Sequence, residues 1–245
     1  MQRVGHLPER INALAWHPKK SLLAAVGGTP GQWGTVALID TALNFQVRFL
    51  CDLPETALCA EFSPNGQHLV VGSGDRSIRV FEIPGGRELK VLKQHADWVQ
   101  SVEFNDDGAH LVTASRDRTA RVFRTDQWEL EATYSGHEAP LLGAIFLRGD
   151  RRALSFARGK SVRLWDVTSG KERAKVGGIA SEWQHAAVQG QYVFAATADR
   201  RLRLYDARER AELITLGQHN DLVQAIAVSP GGEIIATGAA DGEVR

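Results

Sequence analysis

An aspartate returns along this chain at a nearly fixed interval. Asp75 and Asp117 stand 42 residues apart, as do Asp199 and Asp241, and close to twice that interval, 82 residues, separates Asp117 from Asp199. Each acid ends a run of small residues and opens an arginine-bearing β-like run, as in Ser73-Gly74-Asp75-Arg76-Ser77-Ile78-Arg79-Val80-Phe81. Midway through the long interval, Ala157-Arg158-Gly159-Lys160-Ser161-Val162-Arg163-Leu164-Trp165-Asp166 keeps the pattern but carries glycine at the acidic position. Self-similarity at about 40 residues marks a repeat architecture, in which each copy is one supersecondary unit.

The text inside a period reads as strands. Trp98-Val99-Gln100-Ser101-Val102-Glu103-Phe104 alternates apolar and polar residues, and Asn105-Asp106-Asp107-Gly108 then turns the chain. His110–Ser115, Thr119–Phe123 and Leu130–Tyr134 supply three more short runs, with the turn at Asp117 between the first two. The same punctuation stands at Ser63-Pro64-Asn65-Gly66, Arg148-Gly149-Asp150 and Ser229-Pro230-Gly231-Gly232. Each period therefore predicts one four-stranded antiparallel sheet, and nothing predicts a helix of ordinary length. A sheet apolar on both faces must cover both, since burial stabilises by about 25 cal/mol per Å² of apolar area. Stacking successive sheets about an axis does so, which predicts an all-β fold, a β-propeller of four-stranded blades. The repeats fall near 5–50, 51–93, 94–135, 136–177, 178–217 and a shorter 218–245, in a single domain over 1–245.

Composition narrows the classes. With 43% hydrophobic residues over 245 positions the chain can bury a large core. Its 29 basic and 29 acidic residues cancel, which argues against a broad polyanion-binding surface. Cys51 and Cys59 are too few for the framework of a small secreted domain and read as reduced and structural. The N-terminal decapeptide lacks the apolar core of a signal peptide, and no run of about 18 uncharged apolar residues occurs. A soluble cytoplasmic protein is the expectation.

Gly136-His137, Phe62-Ser63-Pro64-Asn65-Gly66, the aspartate hairpins and the closing Leu164-Trp165-Asp166, with variants Phe81-Glu82 and Tyr205-Asp206, resemble the WD-repeat β-propeller family across essentially the whole chain. The resemblance implies a buried hydrogen-bond chain from an entering histidine through a second-strand hydroxyl to the hairpin acid and a third-strand tryptophan. Here it assigns His95, Thr113 and Asp117 in the third copy, with Phe123 in the tryptophan position. The sixth copy offers His219, Thr237 and Asp241, and the fourth His137, Ser155 and Trp165, with Gly159 removing the acid. Asp75 and Asp199 are the acids of the second and fifth copies, whose hydroxyl positions hold Val71 and Ala195.

Hydroxyl, histidine and aspartate are also the parts of a nucleophilic triad. A catalytic site is needed once, however, whereas this trio recurs, so the structural role is expected and no catalytic residue is assigned. His68 and His110 follow equivalent turns, with His17 near the corresponding turn of the first copy, and no two have the spacing of ligands on one strand, so no metal and no cofactor is expected. Arg79, Arg121, Arg163, Arg203 and Arg245 share one third-strand position, where their stems cover apolar surface; a phosphate ladder is the sharper alternative. Gly27–Gly34 lacks the lysine and following helix of a phosphate cradle, and is expected as a long loop with Trp33 near its tip. Trp183 and His185 are expected to pack in the fifth copy.

By the resemblance, the face made by entering loops and aspartate hairpins receives partners, which makes Trp98, Arg116, Glu138 and Arg158 candidate contacts, with Trp33 as a further anchor. Met1–Val4 reads as the tail of a fourth strand, and Gly242–Arg245 stops inside a third. A segment of a longer propeller, or a six-bladed ring with a defective closing blade, is expected, with open edge strands able to self-associate. The function expected is a noncatalytic scaffold or regulatory module, part of a larger protein or assembly, that binds proteins or peptides rather than nucleic acid or membrane. The alternative is a propeller enzyme of hydrolase or lactonase type with its site at a central channel.

Overall fold

A computed structural model describes residues 10–147, 151–209, 211–229 and 232–245. The strand expected at Met1–Val4, the turn at Arg148-Gly149-Asp150 and the Pro230-Gly231 step lie outside them. The described residues form 22 strands and no helix. Five sheets are four-stranded meanders, each strand pairing with its successor in the chain, and a sixth has two strands. The strands group into two compact units, the first running to Asp117 and taking in Phe123–Glu129, the second made of Arg118–Val122 and Leu130 onward.

In the first unit, β1 (Ile11–Trp16), β2 (Leu22–Thr29), β3 (Trp33–Asp40) and β4 (Gln46–Leu53) make the first sheet. Its last strand ends at Leu53. The second sheet is β5 (Ala57–Phe62), β6 (His68–Ser73), β7 (Ile78–Glu82) and β8 (Glu88–Leu92). The third comprises β9 (Val99–Phe104), β10 (His110–Ser115), β11 (Ala120–Arg124) and β12 (Glu129–Tyr134), with Ala120–Val122 and Leu130–Tyr134 grouped in the second unit. Alternation along β6 shows why sheets must stack: Leu69 and Val71 join Val26, Val36 and Leu38 of the first sheet, while Val70 between them joins Val99, Val102 and Leu111 of the third. One strand thus feeds two cores, because successive side chains leave a strand on opposite faces.

In the second unit, β13 (Leu141–Phe146), β14 (Arg152–Ala157), β15 (Ser161–Asp166) and β16 (Glu172–Lys175) form the fourth sheet. The fifth is β17 (Trp183–Gln189), β18 (Tyr192–Thr197), β19 (Arg201–Asp206) and β20 (Ala211–Gln218). The sixth holds β21 (Val223–Val228) and β22 (Ile235–Ala239), with an isolated bridge from Gly238 to Val244. Leu154, Phe156, Val162 and Leu164 of the fourth sheet meet Trp183, Val193, Ala195 and Tyr205 of the fifth. Trp183 is buried against Phe156 and Tyr205, with ring centroids 5.8 and 4.7 Å away. His185 does not share that role: its side chain is exposed, because it lies two residues further along β17, past the register shift between Trp183 and His185.

The expected loop at Gly27–Gly34 is instead a hairpin. β2 and β3 pair through Gly28↔Gly34 and Thr29↔Trp33, leaving only Pro30, Gly31 and Gln32 to turn. Glycine is required there by close approach: a Cβ on Gly28, whose φ is +133°, would lie 2.2 Å from the Trp33 carbonyl oxygen. Trp33 therefore opens a strand rather than capping a loop.

Candidate functional site

The hairpin acids lie where β-strand two turns into strand three, and what each binds depends on what else its sheet supplies. In the third sheet His95 Nδ1–H donates to Asp117 Oδ2 at 2.9 Å, and the Thr113 hydroxyl donates to His95 Nε2 at 2.8 Å. The Ala96 amide adds a second bond to the same carboxylate oxygen at 2.9 Å. His95 and Thr113 are buried, Thr113 with no exposed surface. The three side chains have the connectivity of a triad, but a hydroxyl with no exposure reaches no substrate. The arrangement satisfies buried polar groups, each charge-assisted bond contributing about 1.5–3 kcal/mol.

The fourth sheet has His137, Ser155 and Trp165 without an acid. Trp165 Nε1–H donates to Ser155 Oγ at 3.1 Å, and Ser155 lies 2.7 Å from His137 Nε2. Ser161 Oγ, at 3.1 Å from His137 Nδ1, takes the part that Asp117 plays in the third sheet. Sequence reasoning passed over Ser161, although a hydroxyl two residues after the missing acid was the available signal. Tyr134 stacks on Trp165 at 5.4 Å and meets His137 edge-on at 5.6 Å. Burial, with the Arg163 cation nearby, pulls the His137 pKa down to about 4.

In the sixth sheet His219 Nε2 lies 2.8 Å from Thr237 Oγ1, but Nδ1 is 3.7 Å from Asp241 Oδ2, too long for a hydrogen bond. Asp241 accepts instead from the amides of Asn220 and Glu243, at 3.0 and 2.9 Å. His219, Asp241 and Glu243 nonetheless bring potential metal-ligating atoms within 4.8 Å of one another, a grouping the histidine spacing did not suggest. Arg245 already holds Glu243 Oε2 through its Nε at 2.9 Å.

The second and fifth sheets have no entering histidine, and their acids turn to the third-strand arginine four residues on. Arg79 Nη1 lies 2.9 Å from Asp75 Oδ2 and Arg203 Nη2 lies 2.5 Å from Asp199 Oδ2. Arg203 is buried, bridging Asp199 to Glu212 at 3.1 Å, and its hydrogen bonds hold the Asp199 carboxyl well below the usual range. These arginines serve internal acids rather than a phosphate ladder. His17, at the start of the turn from β1 to β2, accepts at Nδ1 from the Lys19 and Lys20 amides and donates from Nε2 to the Gly66 carbonyl at 3.0 Å. His68 packs edge-on against Trp128 at 5.4 Å.

Of the candidate contact residues, two meet in the first unit. The Arg116 guanidinium lies 4.8 Å over the Trp98 ring, and the Arg116 amide donates to the Trp98 carbonyl at 3.0 Å. Trp98 is partly exposed and Arg116 exposed. In the second unit Glu138 and Arg158, both exposed, line one cavity of about 490 Å³ at the fourth-sheet hairpin. Trp33 stands apart at the start of β3, 40% exposed. A larger cavity of about 760 Å³, lined by Lys19, Lys20, Leu38, Leu43, Arg48 and Pro84 among others, has no counterpart in the sequence reading.

Repeated four-stranded meanders, with a hairpin acid tied to histidine in the third sheet and to arginine in the second and fifth, define a repeat protein built from propeller-type blades. The chain carries WD repeats: the profile described as "WD40: WD domain, G-beta repeat" matches residues 54–82, 86–124 and 210–245. It is 33% identical over 105 residues to human Echinoderm microtubule-associated protein-like 2, covering 39% of this chain and 16% of that protein. It is 27% identical over 119 residues to the WD repeat-containing protein 26 homolog of Arabidopsis thaliana, covering 43% and 20%. A 45-residue stretch is 44% identical to the probable serine/threonine-protein kinase PkwA of Thermomonospora curvata, 6% of that protein. A match about one repeat long cannot contain a kinase active site. The chain spans only a small part of the length of each of these relatives.

Proposed function

We propose that the chain is a noncatalytic interaction module that presents protein or peptide contacts on the loops entering its sheets. The observation that carries this reading is the Trp98–Arg116 pair. A tryptophan and an arginine stacked at 4.8 Å, the first partly exposed and the second exposed, form a preorganised platform of two residue types enriched in binding hot spots. Asp97 steadies it by accepting the Trp98 amide at 2.7 Å while its carbonyl accepts the Ser115 hydroxyl at 3.0 Å. The three WD-repeat profile matches and the similarity to WD-repeat proteins support the general class. The free thiols of Cys51 and Cys59 support a reducing, cytoplasmic setting.

An enzyme reading finds less support. The hydroxyl–histidine pairs of the third and fourth sheets are buried, and the recurring trio is used for internal bonding. Affinity capture with wild type and the Trp98→Ala/Arg116→Ala double variant tests the proposal. Loss of specific captured proteins in the variant is the expected result; identical captures would remove this platform from the interface.

A further inference from the structure

The fourth sheet differs from the others where a hairpin acid belongs. Gly159 occupies that position with a φ of +80°, and a Cβ placed on it would meet no atom within 4 Å. The cavity of about 490 Å³ opens here, its wall including Arg158, Lys160, Arg163, Lys175, Ser161 and Glu138. Four cations and one carboxylate, Glu138, line it; with Glu172 beside Arg163 and Glu182 on the Gly159 amide counted, a net positive charge of one remains, carried by the exposed Arg158, Lys160 and Lys175.

Arg163 shows what the cavity lacks. Its counterparts Arg79 and Arg203 each meet the hairpin aspartate of their own sheet. Arg163 has no such acid: its Nη1 is buried without a hydrogen-bond partner, 3.6 Å from Glu172 Oε1. A buried donor left unsatisfied costs about 1–3 kcal/mol, more when charged, so an acceptor supplied from outside gains what the sequence has removed. Nearby Glu182 is not that acceptor, because it holds the Gly159 amide at 2.6 Å and the Gln184 side-chain amide at 2.8 Å.

We propose that this cavity receives a carboxylate side chain from an acidic segment of a partner protein, seated where other sheets carry their own hairpin aspartate. The inference rests on the interaction-module reading and names the chemistry of the partner. A protein acid fits better than a nucleic acid or a membrane surface, because the cavity offers one confined group of cations and the whole chain carries no positive excess.

Fluorescence anisotropy with a labelled glutamate-rich peptide at low salt tests it. Wild type is expected to bind this peptide and not a lysine-rich control. Arg158→Glu/Lys160→Glu, at exposed positions, is expected to weaken binding at least about tenfold. Lys175→Glu, exposed on a different strand, is a second variant with the same expectation should the first fail to fold. Unchanged affinity in a folded charge-reversed variant overturns the proposal. So does wild-type binding no tighter than that of the lysine-rich control, or a single-stranded oligonucleotide of equal charge that binds as tightly as the acidic peptide. If these fail while Trp98/Arg116-dependent capture persists, the module reading stands and only the acidic partner falls.

Discussion

Ser155 Oγ serves both Trp165 Nε1 and His137 Nε2 from a position with no exposure, so removing it strands two buried ring nitrogens. Ser155→Ala is expected to cost about 2–4 kcal/mol in urea unfolding, well above Asp75→Ala, whose partner Arg79 keeps Glu88 at 3.4 Å. His137 adds a pH dependence. Its folded pKa of about 4 lies below the unfolded value of 6.5, so the unfolded chain takes up the proton first on acidification. The stability due to the neutral imidazole is complete above pH 6.5 and is lost as pH falls toward 4. Against His137→Gln, wild type should therefore lose an extra amount on the order of 1 kcal/mol between pH 7.5 and 5, read from denaturation midpoints; a constant difference would contradict it. At this scale the sequence showed which side chains recur and left their pairings open. Asp75, Asp117, Asp199 and Asp241 look alike in the text. Whether each meets a histidine, an arginine or, as Asp241 does, only backbone amides depends on what the fold brings to it, and Ser161 replaces an acid only because the fold brings it to 3.1 Å from His137.

Neighbouring sheets are joined at their first strands, where β1 lies on β5 and β5 on β9. Glu61 on β5 accepts the Phe104 amide of β9 at 2.6 Å, and burial together with Glu103 pushes its pKa well above the usual carboxylate value. With the folded pKa raised, its protonated form favours the fold at low pH, and that contribution is lost as pH rises through the folded value. Glu61→Gln keeps an acceptor for Phe104 without the charge, so a higher Tm at pH 7.5 and a gap to wild type that closes on acidification are expected in calorimetry. The strands themselves were legible, because period-two alternation and Asn-Gly or Asp-Gly turns are local signals. Gly27–Gly34 was misread for a local reason as well: glycines that mark a loop also let two backbones close, as Gly28↔Gly34 does. Gly28→Val, which places a Cβ 2.2 Å from the Trp33 carbonyl, should destabilise by about 2 kcal/mol or more in denaturant unfolding, whereas a true loop would tolerate it.

Across the whole chain two properties favour self-association. The formal charge at pH 7 is zero, which removes long-range repulsion, and β20, at the edge of the fifth sheet, exposes Leu213, Ile214 and Leu216 at 51%, 55% and 45%. An uncovered apolar edge strand offers unpaired backbone groups and greasy side chains together, the combination that edge-to-edge pairing uses. Neither the zero charge nor the repeat pattern names a partner; the architecture was legible in the residues, whereas Trp98, Arg116, Glu138 and Arg158 entered as candidate contacts through the family resemblance alone. Sedimentation velocity separates edge pairing from those sites. The weight-average mass is expected to rise with concentration near pH 7, to fall at pH 9 where the chain carries net negative charge, and to fall at pH 7 in Ile214→Lys. The Trp98→Ala/Arg116→Ala variant should sediment as wild type does. A mass that follows Trp98 and Arg116 instead of Ile214 would move self-association from the β20 edge to the platform that the module reading reserves for other proteins.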